Sequence, residues 1–129
     1  MKKVLAVLAG LVLWVVVVSL LNRGLRLGVP GYAAAEPAMT FTLGMKIGRL
    51  LIGAAASLAA GAAVSTMARP STSLPWVLGA ILLAAFIPIH IQLWTKFPVW
   101  YHLVFLATLA PLVALGAGLR RRLSPHAPR

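Results

Sequence analysis

Residues 4–21 read VLAVLAGLVLWVVVVSLL, a run with no charged side chain. A helix needs about 20 apolar residues to cross a hydrocarbon layer of about 30 Å, and this run is close to that length. Three more apolar runs follow, at about 41–67, 76–94 and 99–119. The expectation is an all-α integral membrane protein: an antiparallel bundle of four transmembrane helices joined by short loops, making a single domain over residues 1–129.

Composition points the same way. Hydrophobic residues form 61% of the chain and charged residues 10%, against roughly 45–50% and about 25% in ordinary soluble proteins. No stretch is left for a water-soluble domain, so any function sits inside the bundle or at its two surfaces. The chain has no cysteine, which excludes disulfides, thiolate catalysis and cysteine-based metal sites.

A net charge of +11 would suggest nucleic-acid binding in a soluble protein, but the basic residues lie at the ends of the apolar runs. Headgroup anchoring is the expected role, with the bilayer and its anionic lipids as partners and no nucleic acid. With both termini in the cytoplasm, that side holds Lys2, Lys3, Arg69, Arg120, Arg121, Arg122 and Arg129, against Arg23, Arg26, Lys46, Arg49 and Lys96 on the other. The seven-to-five margin places the termini inside a bacterial inner membrane. The N-terminus also imitates a secretory signal, with Ala33-x-Ala35 downstream. Its apolar run exceeds the usual 7–15 residues, and Arg23 and Arg26 intervene, so it is expected to stay as the first helix.

Gly24, Gly28, Pro30 and Gly31 interrupt the pattern after the first run, and Tyr32 with Ala33 to Ala35 suggests a structured loop on the surface. Pro37 suits a first helical position. A helix from there to Met67 would be about 46 Å long, longer than the hydrocarbon layer. Lys46 and Arg49 would share a face of that helix, either snorkelling to the headgroups or forming an anion site for a lipid phosphate or acidic ligand. Glu36 is the sole acidic residue, available to pair with Arg23, Arg26, Lys46 or Arg49. One carboxylate supplies neither a general acid and base pair nor a hard-metal cage, so no catalytic or metal-ligating set is assigned.

Gly53, Ser57, Gly61 and Ser65 recur at every fourth position, a ridge of small side chains that lets another helix approach closely. Ala110, Ala114 and Gly118 form a weaker strip in the last helix, and Ala6 with Gly10 one in the first. The last two helices make a hairpin through Thr95 to Pro98, bracketed by Trp94 and Trp100, with Trp76 and Tyr101 adding to the interfacial aromatics. Pro88 and Pro111 fall inside the runs, where they free backbone carbonyls. His90 and His102 fall at similar depth beside this hairpin, with Gln92 and Tyr101 nearby. Two imidazoles at that depth read either as interfacial side chains that face water or bond backbone groups freed by Pro88, or as a ligand or lipid site, a proton relay, or, less readily, metal or haem ligation.

The segments MKKVLAVLAGLVLWVVVVSLL, PGYAAAEPAM and IPIHIQLWTKFPVWYHLVFLATLAPLVALGAGLR resemble small bacterial integral membrane proteins with four membrane helices. That resemblance implies the topology and no established activity. Small multidrug transporters have similar size and helix number, but they depend on a glutamate in the first helix, and here that helix has no acidic residue. The sequence therefore suggests a structural or accessory subunit, self-associating or within a larger complex, with no catalytic activity and no cofactor of its own. The alternatives are a small transporter or lipid-binding protein using His90, His102, Lys46 and Arg49, and a membrane haem or redox protein.

Overall fold

The computed structural model describes residues 2–68 and 73–122. Among these, five helices occur: α1 (Lys2–Gly28), α2 (Tyr32–Ala35), α3 (Leu43–Met67), α4 (Leu74–Gln92) and α5 (Val99–Arg122). All but α2 are long and apolar enough to cross a membrane. Arg69, His126 and Arg129 lie outside the described residues.

Two helix boundaries differ from the sequence reading. α1 runs on to Gly28, so Arg23 and Arg26 sit on its last turns rather than after it. Gly24 and Gly28 do not stop it, because a glycine costs a helix only about 1 kcal/mol. α3 starts at Leu43, not near Pro37. Pro37 lies in the turn after α2, the backbone passes through a left-handed conformation at Met39 (φ 55°), and Thr42 then caps α3 by accepting a hydrogen bond from the Met45 N–H at 3.3 Å. Gly31, at φ 82°, reverses the chain ahead of α2, a conformation that glycine adopts without strain. The segment between α1 and α3 thus folds back over one end of the helices.

α3 is the packing centre. Against α1 its contacts run in opposite senses: Gly10 beside Val64, Trp14 beside Ser57, Leu25 beside Gly48. Against α5 they run in the same sense: Arg49 with Tyr101, Gly53 with Phe105, Gly61 with Val113, Thr66 with Arg120. α4 meets α5 in opposite senses, with Gly79 beside Ala110 and His90 beside His102. The small face of α3 is used within the chain: a Cβ at Gly61 would run into the Val113 carbonyl, and one at Gly116 into the backbone of Leu58. Ser57 and Ser65 are buried on the same face. On α5 the close-packed strip is Val113, Gly116 and Ala117, one step round the helix from the expected Ala110, Ala114 and Gly118. Ala110 instead receives Gly79, and Gly118 meets only the side chain of Arg121.

The core is therefore a seam of small and branched residues, Ala6, Ala56, Ala60, Val64, Leu78 and Val113 among them. A second, aromatic cluster of Tyr32, Phe41, Phe97 and Tyr101 closes the end beneath the α1–α3 connection. The outward faces stay apolar, with Val12, Leu20, Leu51, Ile91 and Leu103 all more than half exposed.

Candidate functional site

The aromatic cluster is built from four separate stretches, and Arg49 enters its middle. α3 carries the arginine one and a half turns from its start. The guanidinium carbon lies 4.8 Å from the centre of the Phe41 ring and 5.8 Å from that of Phe97, within the range of cation–π attraction. Arg49 donates from Nη1 to the Tyr32 hydroxyl at 2.8 Å and from Nε to the Tyr101 hydroxyl at 3.3 Å. Tyr32 donates in turn to Asn22 Oδ1 at 2.6 Å, and the Asn22 amide donates to Glu36 Oε2 at 3.1 Å.

Glu36 ends this network, and its charge is already matched. Arg26 donates from Nε to Oε1 at 2.6 Å and from Nη2 to Oε2 at 2.9 Å, a two-pronged pair that fits a planar guanidinium to a carboxylate. The Arg26 hydrogen bond holds the Glu36 carboxyl below the usual carboxylate range; partial burial opposes it and the Asn22 bond adds to it. Since Glu36 is the only acidic side chain in the sequence, Arg49 keeps a positive charge with no carboxylate bonded to it. Its side-chain partners are all neutral.

Beside Arg49 a cleft of about 220 Å³ opens between α1, α3, α4 and α5. Asn22, Glu36, Arg49 and Tyr101 line it at the end nearest the α1–α3 connection. Trp14, Val18, Ile52, Gly53, Phe86 and Phe105 line the rest. Helix direction explains the division: going from Asn22 to Val18 to Trp14, from Arg49 to Gly53, and from Tyr101 to Phe105, each wall moves inward and loses polarity. The cleft has a polar head and an apolar shaft.

The histidines stand behind the Phe105 and Tyr101 wall. His90 and His102 are buried, with their Nδ1 atoms 2.7 Å apart, and His102 Nε2 lies 3.2 Å from the Trp94 carbonyl. A carbonyl only accepts, so Nε2 of His102 carries the proton of that contact, and one of the two facing Nδ1 atoms donates to the other. The Trp94 indole stacks on His102 at 4.6 Å, and Phe105 covers His90 at 4.8 Å. This geometry does not suit bis-histidine ligation of haem iron from its two faces. Two nitrogens each about 2.0–2.1 Å from a shared ion, on opposite sides, stand about 4 Å apart, whereas these are bonded directly to each other. Among the described residues no group of three or more metal-ligating side chains occurs.

The sequence-derived candidates thus separate. Arg49 and Tyr101 meet in one network; His90 and His102 meet in an adjacent pair. Gln92 is exposed at the end of α4, and Lys46, three residues before Arg49, takes no part in the network. Sequence reasoning gave no site role to Asn22, Tyr32, Phe41, Phe97 or Trp14. The available signals were an amide placed where an apolar run ends and a tyrosine in an otherwise small-residue loop. Comparison with protein-family models, curated proteins and solved structures finds no match.

Proposed function

We propose that this is a small ligand-binding membrane protein, an antiparallel bundle of four helices crossing a bacterial inner membrane, that holds an amphiphilic ligand in the cleft beneath Arg49. One observation carries the reading: a half-buried arginine without a carboxylate partner faces a cleft whose remaining walls are apolar. Burying an unpaired charge is costly, and structures that keep one usually bring a counter-charge to it. The membrane setting is supported by the apolar outer faces and by aromatic and basic residues at both ends of the helices. Trp94, Trp100 and Lys96 stand at the end with the cleft, and Trp76 with Arg120 to Arg122 stand at the other. With termini inside, the cleft opens at the face away from the cytoplasm.

A self-associating subunit would use the small-residue ridge of α3 as its contact face. That face is covered by α1 and α5 of the same chain, so it offers no free surface to a second copy. The test is native mass spectrometry of protein purified in mild detergent. Wild-type protein is expected to retain an added mass that Arg49→Gln loses while keeping its helical circular dichroism. A bare wild-type mass, or a mass equally retained by the variant, would remove the support.

A further inference from the structure

We infer that the ligand is a single-chain monocarboxylate, a fatty-acid-like amphiphile with its carboxylate on Arg49 and Tyr101 and its chain running inward past Val18, Ile52 and Phe105. This rests on the reading of the cleft as a ligand site and names the chemistry that fits it.

Charge fixes the head. The polar end contains Arg49, positive, and Glu36, whose negative charge is matched by Arg26. The uncompensated charge is therefore one, which suits a monoanion; a phosphate monoester, carrying nearly two charges at neutral pH, would meet Glu36 in the same wall. Donor geometry agrees. A guanidinium offers five N–H groups in a planar fork, and Tyr32 and Tyr101 take one each, leaving three. The Tyr101 hydroxyl accepts from Arg49 and finds no acceptor for its own proton among the described residues. A carboxylate accepts from both groups at once.

Shape fixes the tail. From Asn22 to Trp14 the cleft descends eight residues of α1, about 12 Å at a rise of 1.5 Å per residue. The volume of about 220 Å³ along that length makes a narrow, partly open cleft. An extended hydrocarbon chain can lie along this path with its head at Arg49, and a two-chain phospholipid is the competitor that the experiment below distinguishes. Gly53 and Phe105 lie at the shaft's inner wall, where a Cβ on Gly53 would come within 3.0 Å of the Phe105 ring.

The experiment is equilibrium binding of isotope-labelled dodecanoate to the delipidated full-length protein in a neutral detergent, with dodecanol, dodecyl phosphate and phosphatidylglycerol as comparators. Saturable binding of one dodecanoate per chain is expected, with dodecanol and dodecyl phosphate at least tenfold weaker. Arg49→Gln should lower dodecanoate affinity at least tenfold, and Val18→Phe, which fills the shaft and leaves the head intact, should lower it by a similar factor. If Arg49→Gln fails to fold, the dodecanoate-to-dodecanol ratio on the wild-type protein decides. Equal binding of the alcohol, displacement by phosphatidylglycerol, or binding unaffected by Val18→Phe would overturn the inference. A retained native mass that Arg49→Gln abolishes, in a protein without dodecanoate affinity, would overturn this ligand class and leave the ligand site standing. Absence of both would remove the site as well.

Discussion

Trp14 is turned inward, 5% exposed, where Trp76, Trp94 and Trp100 are 40% exposed or more. Its indole N–H donates to Ser57 Oγ at 3.0 Å, and the Ser57 hydroxyl donates onward to the Gly53 carbonyl at 2.8 Å. The two ends of this bond should respond unequally. Trp14→Phe removes the donor and leaves Ser57 bonded to its own helix, costing about 1 kcal/mol. Ser57→Ala strands the indole N–H in an apolar seam and should cost about 1–3 kcal/mol; thermal unfolding in detergent compares them. Glu36 gives a pH dependence with a defined sign. Its carboxyl is held below its ordinary range in the folded protein, so the stability it contributes is present at neutral pH and is lost as pH falls through that lowered value. Wild-type melting temperature should therefore drop more steeply than that of Glu36→Gln between pH 6 and pH 3, a range set by the usual carboxylate pKa of about 4. Parallel curves would mean that the Arg26 pair contributes nothing. Arg49 was legible in the sequence as a charge near an apolar run, and His90 and His102 as imidazoles of matching depth. The partners of Arg49 were not, because Tyr32 and Phe41 reach the site through the fold-back of the α1–α3 connection and Asn22 from the facing helix α1, and no local period encodes either.

At the scale of elements, glycines at contact and glycines in the open should behave oppositely. Gly116→Ala places a methyl group against the Leu58 backbone, where no flexible side chain can yield, and should destabilise by about 1–3 kcal/mol. Gly24→Ala, on the last turns of α1 with nothing within 4 Å of the added carbon, should stabilise by roughly 0.5–1 kcal/mol. Unfolding of the two variants in one detergent checks the pair, and a neutral Gly116→Ala would contradict the close approach of α3 and α5. The four-residue period on α3 was readable because small side chains every fourth position mark a contact face whatever covers it. The partner strip on α5 is less legible, since Ala and Gly are scattered there at positions 107, 110, 114, 116, 117 and 118 and several periods fit them. The ends of α1 and α3 differ from the sequence reading for a related reason: neither charge nor proline marks a helix boundary there. Arg23 and Arg26 continue a helix comfortably, and Pro37 serves a turn before Thr42 supplies the cap.

For the whole molecule, length and composition alone pointed to four long apolar helices, and the way those helices sit in a bilayer is the claim most open to direct test. The chain has no cysteine, so single cysteines report position without background. Lys96, exposed in the α4–α5 turn, and Arg121, exposed at the end of α5, stand at opposite ends of the same helix pair. α5 separates them by roughly 33 Å at 1.5 Å per residue, slightly more than the hydrocarbon thickness. In intact cells a membrane-impermeant maleimide should label Lys96→Cys and spare Arg121→Cys until the cells are lysed. Leu20→Cys, 65% exposed on the apolar face of α1, reports on hydrocarbon contact and should label poorly in both conditions, because a thiol in hydrocarbon is little ionised and out of the reagent's reach. Labelling of Arg121→Cys alone would keep the crossing and reverse its sense, turning the cleft toward the cytoplasm. Labelling of both in intact cells would mean that α5 does not cross, and the shaft beneath Arg49 would then have no hydrocarbon from which to draw its ligand.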